Sequence, residues 1–545
     1  MKKTALFIIS LLILFCSLPM PVNADWINLS GAESAPNIAE IHINDDHVRI
    51  DLEIFVNDIV IFDRLIPNEY FKGTDIKRPT LSERLRQFSN EDFQVIDEKG
   101  RKLQATLRLI EPRFRKDRPS VYAGKINPYT GSIIPGPPKD KRVLYAELVY
   151  PFKQRPESLT IIPPLDYRGF PSASIGFIAY HKSVPVVDFR YLSEAARVSL
   201  DWQDPWYSAF ENKALKRWQQ SGLMTYLYVE PYEVRHETLV RVKDLEQWMD
   251  LGLKGDEFIE VDEVEPLKKR VGEFLLQHSN VHIDGKKLSP ILDRTSFVKY
   301  TMTRTFFLEK PERMLLSTAM LGVIVTYLTK KIPREVTVSW DLFSDRIRKV
   351  PTTAVDPAGP FPSYVTPDDN VLVWKNFLKT YKVPTVAEVM VDDSLTKMGL
   401  PIVSVLIAVI IGLLVIGGIL LIPFFHVSVA RPSVMAPEVS NEEAVVILEN
   451  LLKNIYRSFD FREEEDVYDR LATSVSGDLL SEIYLQNRKS LVVTQAGGAR
   501  ARVKEVEILD VDVDHLQDRS LGLLFKARWT AMGSVGHWGH IHIRK

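Results

Sequence analysis

The sequence is short of the features that usually announce a function. It has one cysteine in 545 residues, Cys16, so no intramolecular disulfide can form. It has no charge excess: 69 Lys and Arg stand against 71 Asp and Glu. That excludes the basic balance on which nucleic-acid-binding proteins rely. No glycine-rich loop ends in Gly-Lys-Ser/Thr, no Gly-x-Ser-x-Gly elbow occurs, and His236-Glu237 lacks the second histidine of a zinc-protease helix. No catalytic, metal or cofactor residue is therefore assigned, although an active site assembled from scattered residues would leave no such trace. What remains is ordinary in bulk. The chain is 45% apolar and 26% charged, and its length suits three to four domains at about 150 residues each.

Two segments depart from that average. Residues 1–24 read as a bacterial secretory signal peptide. Lys2 and Lys3 precede an apolar run from Ala5 to Leu18, and Val22-Asn23-Ala24 places small residues at the cleavage site. Cleavage would remove Cys16; Phe15 before it is too bulky for a lipoprotein site. The second segment is the stretch from Met398 to Phe425, which carries no charge. Its core, Ile402 to Ile422, would be about 31 Å long as a helix, against about 30 Å of bilayer hydrocarbon. The reading is one transmembrane helix over 401–425 in a bacterial inner membrane, with the N-terminal region exported and the C-terminal domain cytoplasmic. Ser404, Ala408 and Gly412 recur on one face at the spacing that lets helices approach closely in lipid. They form a candidate helix–helix face for a homo-oligomer.

The exported region reads as a tandem duplication. Leu81-Ser82-Glu83-Arg84-Leu85-Arg86-Gln87-Phe88 recurs as Leu267-Lys268-Lys269-Arg270-Val271-Gly272-Glu273-Phe274, at an offset of 186. Val56-Asn57-Asp58-Ile59 matches Val242-Lys243-Asp244-Leu245 at that offset, as Val95 matches Val281 and Arg108 matches Arg294. Leu148-Val149-Tyr150 matches Val325-Thr326-Tyr327 at 177, and Val184-Pro185 finds a counterpart in Val383-Pro384. Each copy shows an alternating strand, a variable loop, one amphipathic helix and two hairpins. The predicted organisation is a first β-rich module over 25–200, an aromatic connector over 201–232 and a second module over 233–395. In the connector, Trp202, Trp206, Tyr207 and Trp218 are read as filling the seam between modules.

Several loops are candidates for binding. The Pro-rich stretch 111–141 of the first copy is long for a compact domain. Tyr122, Asn127 and Tyr129 within it are the candidate partner-contact residues. The segment 252–263 of the second copy resembles a degenerate calcium loop, but Gly252 and Lys254 stand where oxygen ligands belong. A capped, acidic helix start explains it more simply. Beyond a linker at 426–440, residues 441–545 show three helical patterns followed by strands. This order is similar to the cone-shaped α+β fold of the nuclear transport factor superfamily, which implies a pocket or assembly role but no particular activity. The strand pattern is still running at Lys545, so the expectation is that either the sequence is a fragment or the final strand of the sheet is absent. His537, His540 and His542 form the one histidine cluster, with His540 and His542 on one face of a strand and His537 opposite unless Gly536 and Gly539 bend the chain.

The fold class that follows is mixed: duplicated β-rich α+β modules, one transmembrane helix and a C-terminal cone. The leading functional reading is a single-pass membrane protein with no enzymatic role. Its exported modules would bind one protein partner and its cytoplasmic domain another, with no nucleic acid involved. The alternatives are a metal- or solute-sensing transport accessory, and an enzyme with its pocket in the C-terminal domain.

Overall fold

The computed structural model describes residues 29–71, 78–118, 120, 122–128, 130–217, 221–300, 305–308, 310–383, 385–386, 397–400, 427–430, 439–462, 464–490, 492–493, 499–500, 502–515, 523–537 and 540–544. The first β-rich region holds β1 (Asn37–Ile43), β2 (His47–Phe55), β3 (Gln94–Asp97), β4 (Thr106–Phe114), β5 (Arg142–Pro151), β6 (Ser158–Ile162), β7 (Ile175–His181), β8 (Val184–Tyr191) and β9 (Ala196–Ser199). The second holds β10 (Leu223–Val229), β11 (Glu233–Arg241), β12 (Asn280–Ile283), β13 (Ile291–Tyr300), β14 (Met320–Leu328), β15 (Glu335–Ser339), β16 (Val350–Asp356), β17 (Gly359–Val365) and β18 (Val371–Lys375). Short strands between these are named by residue only.

The strand orders of the two regions coincide. The large sheet runs β4-β5-β2-β1-β7-β8 in the first and β13-β14-β11-β10-β16-β17 in the second. The small sheets share β9-β6-β3 and β18-β15-β12. In each large sheet the first strand pairs antiparallel with the second and parallel with the seventh. A β-bulge falls at the same place: between Leu107 and Leu109 against β5, and between Leu292 and Arg294 against β14. The bulge makes Asp293 the register equivalent of Arg108, so the expected Arg108–Arg294 match is off by one. The Val184–Pro185 match also moves. Those residues open β8, and the residues that open β17 are Gly359-Pro360.

Alternation builds each core. Val48, Ile50, Leu52 and Ile54 of β2 point inward and meet Val95, Leu159 and Ile161 of the small sheet. Helix α1 (Leu81–Gln87) closes the first core with Leu85; helix α2 (Val264–Gln277) closes the second with Leu267, Val271 and Leu275. Thr80 and Glu83 form a capping box on α1. Residues matched between the regions do the same work. Arg84 donates to Ile66 O at 2.9 Å, and Arg270 donates to Leu251 O, each tying the preceding loop to its helix. Tyr150 donates to Phe93 O at 2.9 Å and Tyr327 to Ser279 O at 2.7 Å, at equivalent positions.

The C-terminal domain places α3 (Asn441–Ser458), α4 (Glu464–Ala472) and α5 (Asp478–Ser490) before an antiparallel sheet of β19 (Arg502–His515), β20 (Leu523–His537) and β21 (His540–Arg544). A capping box of Ser440 and Glu443 starts α3. Leu471, Val475 and Leu480 form its small core.

The membrane reading requires correction. Among the described residues no helix is long and apolar enough to cross a membrane. The segment 401–425, with Ser404, Ala408 and Gly412, lies outside the described residues, as does the segment 1–24 that reads as a signal peptide. Its described flanks argue against a single crossing. Lys397–Leu400 pairs antiparallel with Val427–Ala430, placing Leu400 opposite Val427. One helix through a bilayer would hold those ends about 30 Å apart or more. The C-terminal domain also packs directly on the second β-rich region, with Arg462 Nε 2.8 Å from Glu233, so no bilayer separates them. The single transmembrane helix, integral inner-membrane placement, oligomerisation through a span and the exported and cytoplasmic sides are therefore not supported. The single-pass interaction role built on them falls too.

Candidate functional site between the second region and the C-terminal domain

Strand β11 is the centre of the arrangement. Glu233, Arg235, Glu237 and Arg241 put charge on one side of its two-residue period, the signature of a strand with one wet face. Instead both faces are buried along its whole length. Val234, His236 and Val240 point into the core of the second region. Glu233, Arg235, Glu237, Leu239 and Arg241 point outward and are covered by other parts of the chain.

The connector covers one end. Trp206 shares one buried apolar cluster with Leu239, Val298 and Ile324 of the second region and Val184 of the first. Arg241 is 1% exposed and binds Asp204, at 2.6 Å, and Asp244. Arg217 stacks on Trp206, 3.9 Å from the ring centroid. Trp202 lies edge-on to His181 in the first region, and Trp218 lies outside the described residues.

The C-terminal domain covers the other end through a charged network. Arg502, which opens β19, lies 2.5 Å from Glu230 and 3.0 Å from Glu233. Arg462 reaches Glu233 and, at 3.3 Å, Asp293. Arg235 donates to Gly536 O at 3.1 Å, and Phe461 stacks on Tyr232 at 4.3 Å. Burial alone would raise the Glu233 carboxyl, but Arg462, Arg235 and Arg502 outweigh it and hold the group down at about 2. Glu230 is raised, chiefly by burial. Buried pairs of this kind add little net stability, yet breaking one strands a charge and costs about 3–5 kcal/mol. They therefore fix how the domain docks more than how tightly.

Docking leaves space. A polar cavity of about 40 Å³ lies among Glu230, Glu233, Arg235, Asp293, Asp460 and Arg502, room for a few waters. A larger cleft of about 400 Å³ adjoins it. Tyr228, Tyr232 and Tyr381 line it from the second region and its C-terminal extension, and Arg457, Asp460 and Lys504 line it from the C-terminal domain. Clefts at domain boundaries with an aromatic wall and a few polar groups are the usual ligand sites. Arg502 is occupied by its acids, whereas Arg457 and Lys504 form no ion pair within 4 Å among the described residues.

Among the described residues, none of those singled out from sequence lines this cleft. Asn127 closes a hairpin in the first region, donating to Leu29 O at 3.3 Å and accepting from Thr130 N. Lys125 sits over the Tyr122 ring. Tyr129 lies outside the described residues. The loop holding them is anchored by Arg118, which binds Glu40 and Glu53 at 2.8 Å each. In the acidic loop 252–263, Glu263 accepts from the backbone N–H groups of Lys254 and Glu260, and Lys254 pairs with Asp262 at 2.5 Å. These oxygens organise a helix start. In register His537 pairs with His540 and Val535 with His542, so the three histidines fall on the β20–β21 hairpin, not along one straight strand. Glu40, His42 and Asp51 bring three ligand-type atoms within 4.8 Å of one another on the outer face of the first large sheet. Arg118 and Lys116 already bind Glu40, and Arg49 lies 3.3 Å from Asp51.

Compared with known proteins, the chain matches no protein-family model and no curated protein. The cleft must be read from its own chemistry.

Proposed function

We propose that the chain is a binding protein, and that its ligand site is the cleft between the second β-rich region and the C-terminal domain. We infer further that the two β-rich regions are copies of one module, the second adapted to carry that domain. The observation behind the site is the open cleft itself, with tyrosines on one wall and, on the other, two cations that form no ion pair among the described residues. A small amphipathic anion fits this division. A ring would lie against Tyr228, Tyr232 and Tyr381, and a phosphate or carboxylate would reach Arg457 and Lys504.

Isothermal titration with phenyl phosphate, inorganic phosphate and phenol tests the reading. Phenyl phosphate is expected to bind more tightly than either fragment, and Arg457→Ala with Lys504→Ala to weaken it at least tenfold. Absence of binding, or equal affinity in the double variant, overturns it.

A further inference from the structure

Asp460 follows α3 and lines both the small cavity and the cleft. It faces Arg457 from α3, Arg502 from β19, Glu230, Tyr232 and Glu233 from β11 and its preceding turn, and Tyr381 from the segment after β18. Apart from Arg457 and Lys504, the cations nearby serve other acids. Arg502 holds Glu230 and Glu233, Arg462 holds Glu233 and Asp293, and Arg235 lies 3.7 Å from Glu233 and 3.6 Å from Glu237. Among the described residues Asp460 makes no ion pair within 4 Å and no side-chain hydrogen bond. It is the acid left over when the domain docks, half-buried in the docked state and set beside two other carboxylates.

We propose that the C-terminal domain closes on the second β-rich region with uptake of a proton at Asp460, so that the cleft is a proton-linked site. Burial chiefly, with Glu230 and Glu233 adding to it, pushes Asp460 up to about 6 against the attraction of Arg502 and Arg457. The docked state therefore holds the proton more tightly than the separated one. Docking is weakest above pH about 6.5 and strengthens as pH falls through 6 toward 4, where the exposed carboxyl also protonates. The span corresponds to a docking constant changed on the order of a hundredfold. Glu230 is raised too and acts in the same direction, while Glu233, held down in the docked state by Arg462 and Arg502, acts in the opposite direction as pH approaches 4 and cancels when variants are compared at one pH. The inference extends the cleft reading to its regulation, but closure is measured without ligand, so either can fail alone.

The test uses the full chain with Cys16→Ser and a fluorophore pair at exposed Asp368 and Asp512, following separation of the two parts in urea. Asp460→Asn mimics the protonated acid. At pH 7.5 it is expected to dock on the order of a hundredfold more tightly than the parent chain. At pH 4.5 the gap should shrink by at least tenfold. Comparison at each pH cancels the titration of histidines, including those of the β20–β21 hairpin. Asp460→Ser repeats the comparison with a smaller side chain, and Asp293→Asn, which removes a paired acid, should weaken docking at both pH values. A gap that does not change with pH, or no gain at pH 7.5 in either Asp460 variant, overturns the proposal.

Discussion

Strands β2 and β11 occupy the same place in two sheets of the same order, yet they live in different surroundings. Outward from β2, Arg49, Asp51 and Glu53 remain partly in water at one end and meet only the loop carrying Arg118 at the other. Outward from β11, the equivalent Arg235, Glu237 and Leu239 are sealed between the connector and the C-terminal domain. The inner faces differ as well. Ile50 of β2 is an apolar core residue, while its equivalent His236 hydrogen-bonds Thr225 at 2.6 Å and Ser279 at 2.7 Å inside the second core. The shared frame fixes where side chains point. What covers a face decides whether a charge there costs nothing or must be matched.

The largest expected effect tests the seam. Arg241→Ala would leave Asp204 and Asp244 buried without their cation, and a loss of about 3–5 kcal/mol is expected from denaturant unfolding. Its equivalent in the first region, the partly exposed Phe55, should cost far less as Phe55→Ala. Equal losses would mean that the seam does not set the difference. Next is His236, which burial pushes down to about 4. The unfolded chain binds the proton more tightly, near the ordinary value of about 6.5. Stability of the second region should therefore fall as pH drops from about 6.5 to 4, by about 3 kcal/mol, and His236→Ile should flatten that slope. A variant that keeps the slope would point to another histidine. The smallest effect tests likeness: Tyr150→Phe and Tyr327→Phe each remove one bond to an equivalent carbonyl. Each should cost about 1 kcal/mol in unfolding experiments, with Tyr327 at the higher end because it also reaches Ser279 Oγ at 3.0 Å.

Much of the shared frame could be read from sequence because matched residues keep matched jobs. Arg84 with Arg270, at an offset of 186, and Tyr150 with Tyr327, at 177, stay recognisable since each anchors the same neighbour in both regions. Where loops change length the match slips. The true partner of Pro185 is Pro360, at an offset of 175, and the likeness of Val383-Pro384 misleads. The docking site was not legible. Glu233 and Arg235 sit in an alternating strand that reads as solvent-facing, and their partners Arg462 and Arg502 lie more than 200 residues further along. The uncharged run at 401–425 misled for a related reason. Hydrophobicity reports that a segment avoids water, but not where its ends go, and Leu400 opposite Val427 could be learned only from pairing.

The parallel pairing of β1 with β7 has a mechanical side. Asn37 enters the sheet level with Ile175, and the pair runs in step to Ile43 beside His181. Tension between the start of β1 and the chain leaving β7 would pull the two strands along each other in opposite directions. The load falls on all the cross-strand bonds together, as in a lap joint, where an antiparallel hairpin pulled from its open end would yield one bond at a time. The second region repeats the arrangement with β10 and β16.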